Sequence, residues 1–175
     1  MKSLFTFFLT LLLIPAIVQS ATQTWRQATD KELASLIPDR APVEKERIET
    51  ELRTASGVTD GKGHFIAGVV MITAGYSAEG KYSHFVLVQA PIKIGEMKLP
   101  PGNYVFGYKR TDQDTLEVKF YEAATGKLLG SVPAKIEKRT GPIRSLLITP
   151  PSSGRTIFQI GRFIFEYSFV QEGKA

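Results

Sequence analysis

The fold is decided by residues 102–136, GNYVFGYKRTDQDTLEVKFYEAATGKLLGSVPAKI. Apolar and polar side chains alternate over 104–110 and again over 116–122, which is the period of a strand. The short Gly-containing loop 123–126 then returns the chain into a third strand over 127–136, as in a β-hairpin. Three consecutive antiparallel strands therefore form the centre of the predicted sheet.

Further strands are predicted on both sides of this centre. They lie at 64–73, 83–90, 92–94, 97–99, 145–149, 156–160 and 162–170. The run at 64–73 is continuously apolar, which is typical of a buried strand. We expect a mainly β fold of about eight or nine strands. It forms a single antiparallel β-sandwich or a partly closed β-barrel, preceded by one or two short helices.

A tight turn is predicted at Pro100-Pro101-Gly102-Asn103. Pro101 pre-sets φ for the second position of a type II turn, and Gly102 would supply the positive φ of the third position. The turn would lead directly into the strand at 104–110.

Aromatic side chains are the richest feature of the β region, since the chain holds eleven Phe and six Tyr. Strand periodicity places Phe163, Phe165, Tyr167 and Phe169 on one side of the sheet. These rings either fill a core or line a cavity for an apolar ligand or a sugar ring. We expect a core, because a sheet has to bury one face.

Residues 1–20 have the pattern of a cleavable signal peptide. Lys2 supplies a positive start, and the apolar run that follows is too short to span a bilayer comfortably. We expect cleavage after Ser20, a mature chain from Ala21, and a periplasmic or extracellular bacterial protein with no membrane span. The alternative is an uncleaved membrane anchor.

Residues 21–62 read as a helical and linker segment that precedes a β domain at 63–175. Thr29 and Glu32 fit a capping box at the start of one helix. A second helix is predicted over 42–55, with Pro42 in its first turn and a narrow apolar face. Because that face is narrow, we expect a chain starting near Gly61 to fold without this segment.

Composition excludes several classes of site. The chain contains no cysteine, which removes disulfides, thiolate metal sites and cysteine nucleophiles. Its net charge is +5, and no run of Lys or Arg exceeds two residues. The charges are interspersed as on an ordinary solubilising surface, so nothing indicates nucleic-acid binding. A preference for anionic lipid headgroups or acidic glycans is the alternative.

Metal binding would have to use the two histidines. His64 and His84 would need to meet in space and recruit a third ligand, such as Glu96 or Asp112. Nothing in their spacing requires this, so both are interpreted as ordinary strand residues.

Catalytic motifs are weak. Ser83 precedes His84, but neighbours on a strand point to opposite faces, and no Gly-x-Ser-x-Gly elbow is present. The sequence Thr125-Gly126-Lys127 is a hairpin turn and not a phosphate loop. The acids Asp112, Asp114 and Glu117 form a cluster that could hold calcium weakly, but solvated loop charge explains them better. No catalytic, cofactor-binding or metal residue is assigned, and no cofactor is expected.

The segment 90–137, APIKIGEMKLPPGNYVFGYKRTDQDTLEVKFYEAATGKLLGSVPAKIE, resembles a group of small, exported, uncharacterised bacterial β-proteins. The shared elements lie at Ile92–Gly95, Leu99–Tyr104, Val118–Phe120 and Val132–Ala134. The late stretch GRTIFQIGRFIFEYSF is similar to the C-terminal strand pair of that group. The resemblance implies an exported sandwich or barrel protein, and it transfers no function and no catalytic residue.

Two functions follow from these observations. The first is a non-enzymatic exported module that binds a partner or a small ligand, such as an apolar or glycan ligand or an envelope protein. The alternative is an exported hydrolase with an unrecognised carboxylate-based site. The absence of cysteine, the two isolated histidines and the lack of a nucleophile motif favour the first.

Overall fold

The computed structural model describes residues 24–138 and 142–170. The signal-peptide interpretation of 1–20, with its cleavage site after Ser20, lies outside the described residues. In the described part the protein is mainly β, with a curled antiparallel sheet of eleven strands, a second sheet of three strands and one α-helix. The strand count exceeds the expected eight or nine because residues 26–59 contribute three strands where helix and linker are expected, and the strand expected at 162–170 is divided into two.

The elements follow one another in this order along the chain: β1 Arg26–Gln27, α1 Asp30–Leu36, β2 Arg40–Val43, β3 Glu46–Thr59, β4 Phe65–Met71, β5 His84–Val88, β6 Ile92–Ile94, β7 Met97–Leu99, β8 Gly102–Arg110, β9 Thr115–Glu122, β10 Leu128–Ile136, β11 Arg144–Ile148, a 3₁₀ turn Pro151–Ser153, β12 Ile157–Gly161, β13 Phe163–Glu166 and β14 Ser168–Phe169.

The large sheet has the strand order β1-β3-β4-β5-β8-β9-β10-β13-β12-β11, and β2 pairs with β3 beside this path. The small sheet has the order β14-β6-β7. All described pairs are antiparallel. The last strand in the order, β11, lies against β3 and β4, so the sheet curls back towards its own beginning.

The large sheet buries side chains on both faces. Phe85 belongs to one buried cluster and its neighbour Val86 to the other, and the same division separates Val105 from Phe106. The cluster that contains Val86 and Phe106 holds most of the Phe rings, and we call it the inner cluster. The cluster that contains Phe85 and Val105 lies under α1 and β2, and we call it the outer cluster. Burial on both faces explains the continuous apolar run at 64–73, which is typical of a strand covered on two sides.

The central hairpin is confirmed. Phe106 pairs with Phe120 across β8 and β9, and Val118 pairs with Val132 across β9 and β10. Gly126 closes the β9–β10 loop at a φ of +67°, a value that glycine adopts readily. The two short strands predicted at 92–94 and 97–99 are also present as β6 and β7.

The first helix is confirmed and the second is wrong. The Thr29 hydroxyl accepts a hydrogen bond from the Glu32 backbone N–H, and the Glu32 carboxylate accepts one from the Thr29 backbone N–H. Residues 42–55 instead belong to β2 and β3. Pairing with β2 on one side and β4 on the other satisfies the β3 backbone, which overrides the helical propensity of its Glu, Arg and Leu residues.

The turn predicted at 100–103 is wrong. Gly102 has no positive φ, because it is already the first residue of β8 and pairs with Val88. The chain reverses through a bend at Pro101 instead. The Tyr104 hydroxyl donates a hydrogen bond to the Pro100 carbonyl at 2.6 Å and holds this bend against the strand.

The final strand predicted over 162–170 is broken at Tyr167. Residues before the break pair with β10 and β12, whereas Ser168 and Phe169 pair with β6 in the small sheet. The expected aromatic stripe is nevertheless present, since Phe163, Phe165 and Tyr167 are buried in the inner cluster and Phe169 packs against it. The stripe thus forms core, as expected.

The segment before residue 63 is part of the large sheet and is not a helical linker. Strand β3 pairs with β2 over 46–49 and with β4 over 50–59, apart from a bulge between Glu51 and Ser56. Ile48 and Val58 on β3 are fully buried in the two clusters. These contacts reverse the expectation that a chain beginning near Gly61 would fold.

Candidate functional site

Three arginines meet at one end of the curled sheet. Arg110 is the last residue of β8, Arg144 is the first of β11, and Arg162 stands in the turn between β12 and β13. That turn has two residues between the paired positions Ile160 and Phe163. Gly161 occupies its first position at a φ of +59°, as two-residue hairpin turns favour.

These arginines line a cleft of about 680 Å³, which we call the arginine cleft. Its other lining residues include Tyr108, Ile143 and Phe163. Among the described residues, no carboxylate lines it. The volume lies within the range of about 300–1,000 Å³ that is usual for small-molecule sites. The cleft therefore combines apolar walls with a positive charge that nothing in its lining neutralises.

The three guanidinium groups differ in how they are held. Arg110 donates a hydrogen bond to the Gln113 carbonyl at 3.0 Å, and its guanidinium carbon lies 5.2 Å from the centre of the Phe163 ring. Cation–π contact of this kind orients a guanidinium without neutralising it. Within the described part of the chain, Arg144 and Arg162 form no ion pair.

A buried histidine lies in the wall of this cleft. His84 is 2% exposed, and its ring stacks on Phe106 with centroids 4.4 Å apart and an interplanar angle of 8°. Its Nδ1 is 2.8 Å from the Ser83 hydroxyl, whereas Nε2 is buried with no hydrogen-bond partner among the described residues. Burial lowers the pKa of His84 to about 4, against a smaller opposing effect of the Ser145 backbone. The imidazole is therefore neutral at pH 7.

The Ser83–His84 contact corrects the expectation that the two side chains point to opposite faces. Ser83 precedes β5, so it escapes strand alternation and its hydroxyl folds back onto His84. The pair does not form a serine-hydrolase triad. The low pKa makes His84 a weak general base at neutral pH, and no carboxylate in the cleft lining orients the ring.

A second cleft of about 770 Å³ adjoins the first and shares Arg144 and Arg162 with it. Its lining adds Asp30, Glu137 and Lys138, so its charge is mixed. The two clefts form one concave region in which the uncompensated positive charge lies on the β8 side.

The histidine and acidic residues weighed for metal binding are not brought together. His64 Nδ1 lies 2.7 Å from the carboxylate of Asp60, whose other oxygen accepts hydrogen bonds from backbone N–H groups of the 60–64 turn. His84 lies in the wall of the arginine cleft, where the described lining holds no second histidine and no carboxylate. Glu96 pairs with Lys93 at 3.0 Å.

The proposed calcium cluster is also dispersed. Asp112 accepts a hydrogen bond from the backbone of Asp114 at 2.8 Å, and Glu117 pairs with Lys119 at 3.3 Å. Among residues 24–138 and 142–170, no group of three or more His, Asp or Glu side chains is placed to hold a metal ion.

Sequence reasoning missed the arginine cleft. Arg110, Arg144 and Arg162 are far apart in the chain, and each looks like an isolated surface charge. The only local signal was that each one stands at the end of a predicted strand or at a turn, where an antiparallel sheet gathers residues from distant segments. Which ends meet depends on the strand order, and periodicity does not contain that information.

No protein-family model, curated protein or solved structure matches this chain. The function is therefore argued from the residues of the chain itself. In the part of the chain that the structure describes, no helix has the length and apolar character needed to cross a membrane.

Proposed function

We propose that this protein is an exported, non-enzymatic β-module that binds a small ligand in the arginine cleft. The observation that carries the proposal is the set of three arginines on an apolar cleft of about 680 Å³ with no carboxylate among its described lining residues. Concave sites with apolar walls and a few converging polar groups are the usual places for small ligands.

We propose that the curled sheet is a partly closed barrel and not a sandwich. Strand β11 lies against β3 and β4, and the Ile148 backbone N–H donates a hydrogen bond to the Ser56 hydroxyl at 2.9 Å. The arginine cleft would then be one mouth of this barrel, and barrel mouths are common ligand sites.

Export is supported by residues 1–20, which have the charge and apolar length of a signal peptide. The resemblance to small exported bacterial β-proteins points in the same direction. N-terminal sequencing of the protein from a bacterial host tests this part, with Ala21 as the expected first residue. A sequence beginning at Met1 would contradict it.

The alternative of a carboxylate-based hydrolase has less support. Glycoside hydrolysis requires two carboxyl groups about 5–10 Å apart that face one cleft. Glu137 and Glu166 line one shallow cleft together, but both are bound to Arg155, at 2.5 and 2.6 Å. Carboxylates held in exposed ion pairs are poor general acids, because a proton would have to displace the guanidinium.

Native mass spectrometry of the purified protein tests ligand binding. We expect a bound small molecule that is lost from Ser145→Trp, since Ser145 is exposed in the cleft lining and an indole would fill the space. The matched control is Ser131→Trp, at an exposed position on β10. If the bound mass survives in Ser145→Trp, the ligand lies elsewhere and the proposal is wrong.

A further inference from the structure

We infer that the ligand of the arginine cleft is a small organic anion: one carboxylate or phosphate group attached to an apolar body. This inference rests on the proposed function and adds the chemical class of the ligand.

The charge of the lining requires a counter-charge. A ligand-free cleft with Arg110, Arg144 and Arg162 places three positive charges on one small surface, and they repel one another. Each guanidinium presents several N–H donors in a planar fork that matches two oxygens of a carboxylate or phosphate. The Arg110 guanidinium donates one hydrogen bond to the described part of the protein, and the guanidinium groups of Arg144 and Arg162 donate none to it. Their donors are free for a ligand.

The acids of the loop that follows Arg110 do not neutralise its charge. Asp112 and Asp114 lie in the hairpin loop after Arg110, but neither belongs to the cleft lining. Asp112 accepts the Asp114 backbone N–H, which turns its carboxylate towards its own loop. The Arg110 donor reaches the Gln113 carbonyl of that loop and no carboxylate.

The apolar walls require more than a simple anion. Tyr108 is 46% exposed and Ile143 is 61% exposed, and both line the cleft beside the buried Phe163. Large apolar side chains that remain in contact with water at a concave surface are a feature of binding sites. Inorganic phosphate would satisfy the arginines and leave these side chains wet, whereas an anion with an apolar body would cover both.

The inner wall also favours an apolar body. His84 is neutral, so it adds no charge, and its ring stacks on Phe106 as part of the aromatic core. The neighbouring ring in the lining is that of Tyr108, which is tilted by 47° with ring centroids 6.0 Å apart. The charged groups of the described lining are thus confined to the arginines, and the ligand would bind with its charged end towards them.

Two fluorescent probes with the same aromatic rings test this division. One is 1-anilinonaphthalene-8-sulfonate, which is an anion, and the other is N-phenyl-1-naphthylamine, which is neutral. Dodecanoate, dodecyl phosphate, dodecanol and inorganic phosphate are then tested as competitors of the bound probe. The three amphiphiles are used at concentrations at which they form no micelles or aggregates. Amide chemical shifts of Arg144, Gly161 and Arg162 report whether a probe is in the cleft.

The variants are Arg144→Gln and Arg162→Gln, both at exposed positions, with Lys127→Gln as the control. Lys127 is an exposed residue in the β9–β10 loop, at the opposite end of β9 from the cleft, and its substitution removes the same charge. Thermal melts check that each variant remains folded.

We expect the anionic probe and the two anionic amphiphiles to shift the cleft amides and to bind at least about tenfold more tightly than the neutral analogues. Each arginine variant should weaken anion binding by about tenfold, since hydrogen bonds to charged groups are among the strong ones. Lys127→Gln should leave binding unchanged. The better of dodecanoate and dodecyl phosphate then identifies the headgroup, and either result supports the inference.

Four outcomes would overturn it. If neutral and anionic compounds bind equally in the cleft, the ligand is apolar. If the arginine variants bind anions as wild type does, the arginines do not recognise the anion. In both cases only the proposed function stands. If inorganic phosphate competes as well as dodecyl phosphate, the apolar body is not recognised. If no compound shifts the cleft amides, both the inference and the proposed function fail.

Discussion

The Ser56 hydroxyl on β3 accepts a hydrogen bond from the backbone N–H of Ile148 on β11, at 2.9 Å, and so joins two strands 92 positions apart in the chain. Both residues are buried. The bond lies beside the bulge between Glu51 and Ser56, where β3 leaves its ladder with β4. A side chain thus supplies the partner that a regular strand backbone would otherwise give to β11.

Ser56→Ala should lower the free energy of unfolding by about 1–3 kcal/mol, because it leaves the buried N–H of Ile148 without a partner. Urea denaturation measures the change. Ser131→Ala, on an exposed position of β10, is the control and should change stability by less than about 0.5 kcal/mol. Equal midpoints for the two variants would show that this bond does not hold the sheet ends together.

Gly107 and Gly102 on β8 should respond very differently to alanine. A Cβ on Gly107 would collide with the backbone carbonyl oxygen of Lys81, which cannot move without displacing the chain before β5. A Cβ on Gly102 would meet only the tip of Tyr104, at 3.3 Å, and Gly102 has no positive φ.

We therefore expect Gly107→Ala to destabilise the protein by several kcal/mol and Gly102→Ala by less than about 1 kcal/mol. Thermal melts of the two variants decide the matter. A larger loss for Gly102→Ala would restore the type II turn that the sequence predicts at 100–103.

Phe165 contacts three other aromatic rings of the inner cluster. It stacks on Phe158 with centroids 5.1 Å apart and meets Phe106 and Phe120 edge to face. Phe165→Ala should cost about 3–5 kcal/mol, the usual range for removal of a buried aromatic side chain. Leu128→Ala is the control, since Leu128 is largely exposed. A loss below about 1.5 kcal/mol would mean that the ring borders a cavity and not a packed core.

The sequence predicted those parts of the fold that depend on neighbouring residues. Alternation gave the β8–β9–β10 hairpins, the Thr29 capping box gave α1, and β6 and β7 were placed residue for residue. It failed at 42–55, where a charged segment of high helical propensity is held as a strand by pairing with β2 and β4, the strands that precede and follow it. It also failed at the arginine cleft, which exists only because the strand order brings three distant residues together.

A chain that starts at Gly61 should not fold. It lacks β1, β2 and β3, exposes the edge of β4 and removes the fully buried Ile48 and Val58 from the two clusters. Exposed edges of this kind promote aggregation. The control is a chain that starts at Ala21 and keeps every described element. Circular dichroism and size-exclusion chromatography compare them, and a soluble, cooperatively melting Gly61 chain would show that β4 can close the fold alone.

Stability should fall when the pH is lowered through the range set by His84. Burial lowers the folded-state pKa of His84 to about 4, whereas an unfolded histidine titrates near 6.5. Between these values the unfolded chain binds the proton and the folded protein does not, so protonation stabilises the unfolded state. The penalty is absent above pH 6.5, grows as the pH falls and is complete below pH 4.

The difference between the two pKa values of His84 corresponds to a loss of roughly 3 kcal/mol in the free energy of unfolding. Urea denaturation between pH 7 and pH 5.5 measures the first part of this loss, in a window above the main titration of ordinary carboxylates. His84→Gln has no titrating group at this position, so it should lose most of this slope. A wild-type slope that persists in His84→Gln would assign the pH dependence to other groups and contradict the neutral, buried state of His84.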